Sequence, residues 1–161
     1  MITLPGGSAG PDGDADRAGP TFDSTGEGLT PDIDLAFDSG TLHVLRAEVQ
    51  AHAYRAGMPE GRAGDMVLAI HELAANAIRH GAGVGRLRMW SLPGALHCRV
   101  DDGDPPAPGD TGDAAASGQA MMSSLPDTHG HGLWVVRQMA DQMQILTGPR
   151  GTRATVSFKL P

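Results

Sequence analysis

Apolar residues recur along this chain with two different periods. Ile33, Leu35 and Phe37 alternate with polar neighbours, which predicts a short strand. Asp38 or Ser39 then offers an N-cap, and Leu42, Leu45, Val49 and Ala53 follow at helical spacing until Gly57 and Pro59 end the element. A longer helix carries Ala63, Met66, Val67, Ile70, Leu73, Ala74, Ala77 and Ile78 on one face, with Gly81 beyond its end. Segments 85–92 and 95–102 read as strands joined by a Pro93-Gly94 turn. A third helix is predicted over 132–143, with Leu133, Val136, Met139, Ala140 and Met143 on its apolar face. Strands follow near 144–147 and 152–160. The last alternates Thr152, Ala154, Val156, Phe158 and Leu160 inward with Arg153, Thr155, Ser157 and Lys159 outward. Helices run together and strands pair as hairpins, which excludes the regular alternation of a Rossmann sheet. The expected fold is α+β: a two-layer sandwich with a mixed, mainly antiparallel sheet covered on one face by helices.

Two stretches have neither period. Residues 1–31 are rich in Gly, Pro, Asp, Ser and Thr, and are expected to be a disordered acidic tail preceding one domain over 32–161. Residues 104–129 form a second low-complexity stretch, too long for an ordinary connection, and read as a lid or binding loop. Charge follows the same division. The net charge of −7 argues at first only against direct nucleic-acid binding. Positions 1–34 contribute −6 and 104–129 contribute −4, so the remaining scaffold holds 11 basic against 8 acidic residues and is compatible with holding a polyphosphate. Cys98 is the single cysteine, residues 1–10 have no signal-peptide pattern, and no apolar run reaches membrane-spanning length. A cytoplasmic, membrane-free protein is expected.

Glu72 and Asn76 are four residues apart and share one helix face. Such a pair can combine a carboxylate that orients or deprotonates a nucleophile with an amide oxygen that ligates Mg²⁺. On spacing alone a solvated helix face is the commoner reading, because such pairs occur on any amphipathic helix. His71-Glu72 begins an apparent HExxH, but position 75 is Ala75 and the second zinc ligand is missing. Asp102 ends the strand in register with Leu96, Cys98 and Val100, so its carboxylate is expected to point inward and to need a partner. That partner is either a ligand's amino group or a backbone N–H in the turn before Gly103. Gly130-His131-Gly132-Leu133 opens a helix, where free N–H groups can bind phosphate.

In chain order these segments are HELAANAIRHG (71–81), VDDGDPPAP (100–108) and HGLWVVRQMADQMQILTGPRGT (131–152). The order resembles the GHKL, or Bergerat-type, ATP-binding fold of gyrase, MutL and histidine kinases, and most closely its RsbW-like anti-sigma-factor serine-kinase branch. The resemblance spans about 36–161. It implies Glu72 as the catalytic carboxylate, Asn76 as the Mg²⁺ ligand, and Asp102 with Gly103 at the adenine. It also implies Gly130, His131, Gly132 and Leu133 at the phosphates, and Thr152 near the base. Asp101-x-Gly103 satisfies the family's D-x-G as well, but only Asp102 keeps the inward register. The run Asp104-Pro105-Pro106 departs from the family's second lid glycine, and the lid contains no Lys or Arg. The implied activity is ATP-dependent phosphorylation of a serine on an anti-anti-sigma (STAS-type) partner, by a protein that also sequesters a sigma factor and acts as a homodimer. The alternative is a non-catalytic ATP-dependent regulator or interaction module of the same fold.

Overall fold

A computed structural model describes residues 29–103, 131–149 and 151–161. The expected lid, Gly130 and residues 1–28 lie outside the described residues. Five strands and three helices follow in the order β1 (Ile33–Asp38), α1 (Leu42–Arg55), α2 (Glu60–His80), β2 (Val84–Leu92), β3 (Ala95–Asp102), α3 (His131–Met139), β4 (Gln142–Gly148) and β5 (Gly151–Lys159). The strands form one sheet, β1-β2-β3-β5-β4, and every neighbouring pair is antiparallel. The α+β sandwich expected from the periodicity is therefore the observed architecture. None of the described helices is long and apolar enough to cross a membrane.

The core lies between the helices and one face of the sheet. Leu87, Met89, Leu96, Cys98, Val156 and Phe158 point from the sheet toward α2, whose Met66, Ile70 and Leu73 meet them; all are buried. Helix α2 touches β2, β3 and β5, while α1 packs on α2 and β1 and α3 packs on α2 and β4. All three helices thus occupy one layer. The outward face alternates with the core face as strand geometry requires, but it is not uniformly wet. His97, Arg99, Thr155 and Ser157 point away from the helices and are nonetheless 4–8% exposed. They stand on β3 and β5, which have neighbours on both sides.

Two boundaries differ from the periodic reading. Helix α1 begins at Leu42, with Thr41 at the N-cap position and no side-chain cap bond. Asp38 instead closes the turn before it, its Oδ1 accepting the N–H groups of Gly40 (2.9 Å) and Thr41 (3.0 Å). Helix α3 stops at Met139, not 143, and β4 starts at Gln142. Met143 follows Met139 by four residues, so helical and strand patterns coincide there, and a long-range contact decides between them. Arg62 of α2 donates to the Met139 carbonyl (2.6 Å) and also pairs with Asp141, while the Asp141 N–H donates to the Ser157 carbonyl (2.9 Å). That corner satisfies a helix-end carbonyl and starts the β4 pairing at once. Residues 29–31, assigned to the tail, are partly anchored: the Leu29 carbonyl accepts from Trp90 Nε1 at 3.3 Å.

Candidate functional site

Helix α2 is the longest element and presents Glu72 and Asn76, both half-buried, one turn apart. The start of α3 closes over them. A Cβ built on Gly132 would stand 2.6 Å from Glu72 Oε2 and 3.5 Å from Asn76 Nδ2. No side chain fits there without displacing the carboxylate, so glycine is what lets the first turn of α3 approach the pair. That turn begins at the exposed His131 and carries N–H groups with no partner within the helix. Leu133 is half-buried and packs against the core, which fixes the turn's height over α2.

A second station lies past the C-terminus of the same helix. Asp102 ends the inward row of β3, and its Oδ1 accepts the backbone N–H of Thr152 on β5. The expected alternative, an N–H of the turn before Gly103, is not the partner. Gly103 instead donates to the Val84 carbonyl at 3.3 Å, with φ at 95°. The second Asp102 oxygen has no hydrogen bond among the described residues. Two glycines press on this carboxylate. A Cβ on Gly81, just past α2, would reach within 3.0 Å of Asp102 Cβ, and one on Gly151 within 2.7 Å of the Asp102 carbonyl oxygen. Gly151 also has φ 119°, a conformation that L side chains rarely adopt.

Asp101 has the opposite surroundings. It faces outward, accepting from Arg153 Nε at 2.8 Å and lying 3.5 Å from Arg88. The register thus separates the two carboxylates that satisfied D-x-G in the sequence, leaving only Asp102 on the helix side. Five residues separate Asn76 from Gly81, about 7.5 Å along a helix axis. The structure therefore groups Glu72, Asn76 and Gly132 at one station, and Asp102 with Thr152 at the other. Gly81 and Gly151 were missed as site residues. Their signal was present in the pairs His80-Gly81 and Gly151-Thr152, which read first as a helix end and a strand start.

Among the described residues, no group of three or more His, Cys, Asp or Glu could hold a metal ion. A cation beside Asn76 would thus need phosphate or water oxygens to complete its shell, which is how Mg²⁺ is ordinarily bound with a nucleotide. Cys98 offers no competing chemistry, being fully buried with its thiol pKa pushed up by desolvation, and His71 Nδ1 is buried with no hydrogen-bond partner among the described residues.

One sheet, one helical layer and this order of motifs define the class, an ATPase domain of α+β architecture. The family is the histidine kinase-like ATPase domain, whose model matches residues 35–158, and the chain belongs to it. This membership supports ATP binding and ATP-dependent chemistry in general. No curated protein matches the chain.

Proposed function

We propose that the chain binds Mg-ATP and transfers its γ-phosphoryl group to a serine of an anti-anti-sigma (STAS-type) partner, acting as an anti-sigma-factor-like regulator that also binds a sigma factor and works as a homodimer. The observation that carries the catalytic part is the approach of Gly132 to Glu72 and Asn76, which brings a helix N-terminus onto a carboxylate–amide pair. The adenine amino group would donate to the second Asp102 oxygen, the first being held by the Thr152 N–H. Gly103, at a positive φ, would let the backbone turn away from the base. Gly130, His131, Gly132 and Leu133 would line the phosphates. Asn76 Oδ1 would hold Mg²⁺, which when bound neutralises phosphate charge.

Glu72 would accept the proton of the attacking serine hydroxyl. The serine Oγ–P bond forms as the bond from Pγ to the β,γ-bridging oxygen breaks, and ADP leaves with that electron pair. Most of the rate would come from positioning and electrostatics, with Glu72 as the general base.

Labelled ATP, the full chain and its STAS-type partner test the reading. Wild type should label a serine, and Glu72→Gln should lose the label while keeping ATP affinity. Asn76→Ala should weaken Mg-ATP binding by tenfold or more, and unchanged affinity would overturn the site. A second reading, nucleotide-dependent partner exchange without transfer, is favoured by the absence of any Lys or Arg in 104–129. Intact ATP binding with no labelled serine would select it.

A further inference from the structure

The outward face of the sheet has no role in the site above, yet among the described residues it carries four guanidinium groups, three of which share the carboxylates of Asp34 and Asp101. Arg86 and Arg88 of β2 share Asp34, while Arg88 and Arg153 share Asp101. Arg99 of β3 stacks over Trp90 at 5.4 Å from the ring centroid. The arginines stand on three adjacent strands, β2, β3 and β5, on a face that no described helix covers.

We propose that residues 1–28 of this chain dock on this face, their carboxylates set against Arg86, Arg88, Arg99 and Arg153. Three observations support that occupant. The segment carries five acidic residues and one basic, a net charge of −4, opposite in sign to the face. The chain meets the face where the segment ends, since the Leu29 carbonyl accepts from Trp90 on the same side as the arginines. Reach is sufficient: Asp23 precedes Leu29 by six residues, up to about 20 Å of extended chain, while β2 and β5 stand two strand spacings apart, roughly 10 Å. Docking in cis would make the segment a competitor of any acidic partner for this face. The proposal is independent of the phosphotransfer reading.

A nitroxide attached to Ser24→Cys in the full chain tests it, because Cys98 is buried and stays unlabelled. At about 0.05 M salt the β3 and β5 amide signals in nitrogen-15 spectra should lose at least half their intensity, and should recover near 0.5 M as screening shortens the electrostatic range. Neutralising Asp12, Asp14, Asp16, Asp23 and Glu27 in the same labelled chain should abolish the loss at low salt. Unchanged intensities, broadening confined to α1 and α2, or a loss that persists at high salt would each overturn the proposal. So would a loss seen only when spin-labelled chains are mixed with separate isotope-labelled chains, which would make a second copy the occupant.

Discussion

The two faces of the sheet are written by the same strands and differ by one residue of register. Asp101 and Asp102 show the contrast at its smallest. The first enters a surface network with Arg88 and Arg153, while the second ends an apolar row and is held by a single backbone N–H. Helix packing consumes the inner face except at its end, where one Asp102 oxygen has no hydrogen bond among the described residues. The outer face sets three arginines against the carboxylates of Asp34 and Asp101. A face that is apolar to its last residue can position one polar group with little competition, whereas a face bearing several charges acts through their summed field rather than through one residue.

The largest expected effect tests the inner face. Phe158 is fully buried beneath the helices, with Arg62 at 5.4 Å from its ring centroid, and its neighbour Ser157 faces the other way. Phe158→Ala should cost about 3–5 kcal/mol of unfolding free energy. Ser157→Ala, which removes only a 3.4 Å hydrogen bond to Gln142, should cost about 1 kcal/mol or less. Denaturant melts of both variants check the difference, and similar costs would break the contrast between the faces.

The carboxylate pair gives the next effect. Asp102→Ala should weaken ATP binding by about 2–3 kcal/mol, roughly 30- to 150-fold, because it removes a charged acceptor from the base. Asp101→Ala should leave ATP affinity within about threefold and act on stability instead, since it leaves Arg153 and Arg88 without that partner. Calorimetric titration with ATP separates the two. Equal losses of affinity would mean that inward register is not what selects the ligand.

Arg62→Ala tests the corner where the helical layer joins the sheet. Its guanidinium holds the Met139 carbonyl and the Asp141 carboxylate, and losing both should cost about 1–3 kcal/mol. The same corner marks what the sequence could not reveal. The helix and strand periods agreed at Met139 and Met143, and an arginine 77 positions away from Met139 broke the tie. Periodicity was enough for the strand pairs, the helical layer and the inward placement of Asp102, because each is a local pattern repeated over several residues. Gly81 and Gly151 were not legible in the same way. Their role is to leave space beside Asp102, which lies 21 residues from the first and 49 from the second, and contact between distant segments leaves no periodic trace.

The smallest expected effect is a pH dependence that again divides the faces. His97 lies outward between Trp90 and Ser157, and burial holds its pKa below the ordinary histidine value. His52, on α1, is also lowered chiefly by burial, but Asp32 pulls it back upward and Ser91 Oγ lies 3.2 Å away. For a base whose folded pKa is depressed, the unfolded chain binds the proton first. Stability is therefore complete above the unfolded value, about 6.5, and is lost as pH falls through the folded one. Each histidine can contribute a slope of at most about 1.4 kcal/mol per pH unit within that window. Thermal melts should thus be flat from pH 8 to pH 7 and fall below about 6.5. His97→Gln and His52→Gln should each flatten that fall, because each removes a ring that burial keeps from charging. A fall left unchanged by His97→Gln but flattened by His52→Gln would place the desolvation on the helix side and make the outward face the better hydrated of the two.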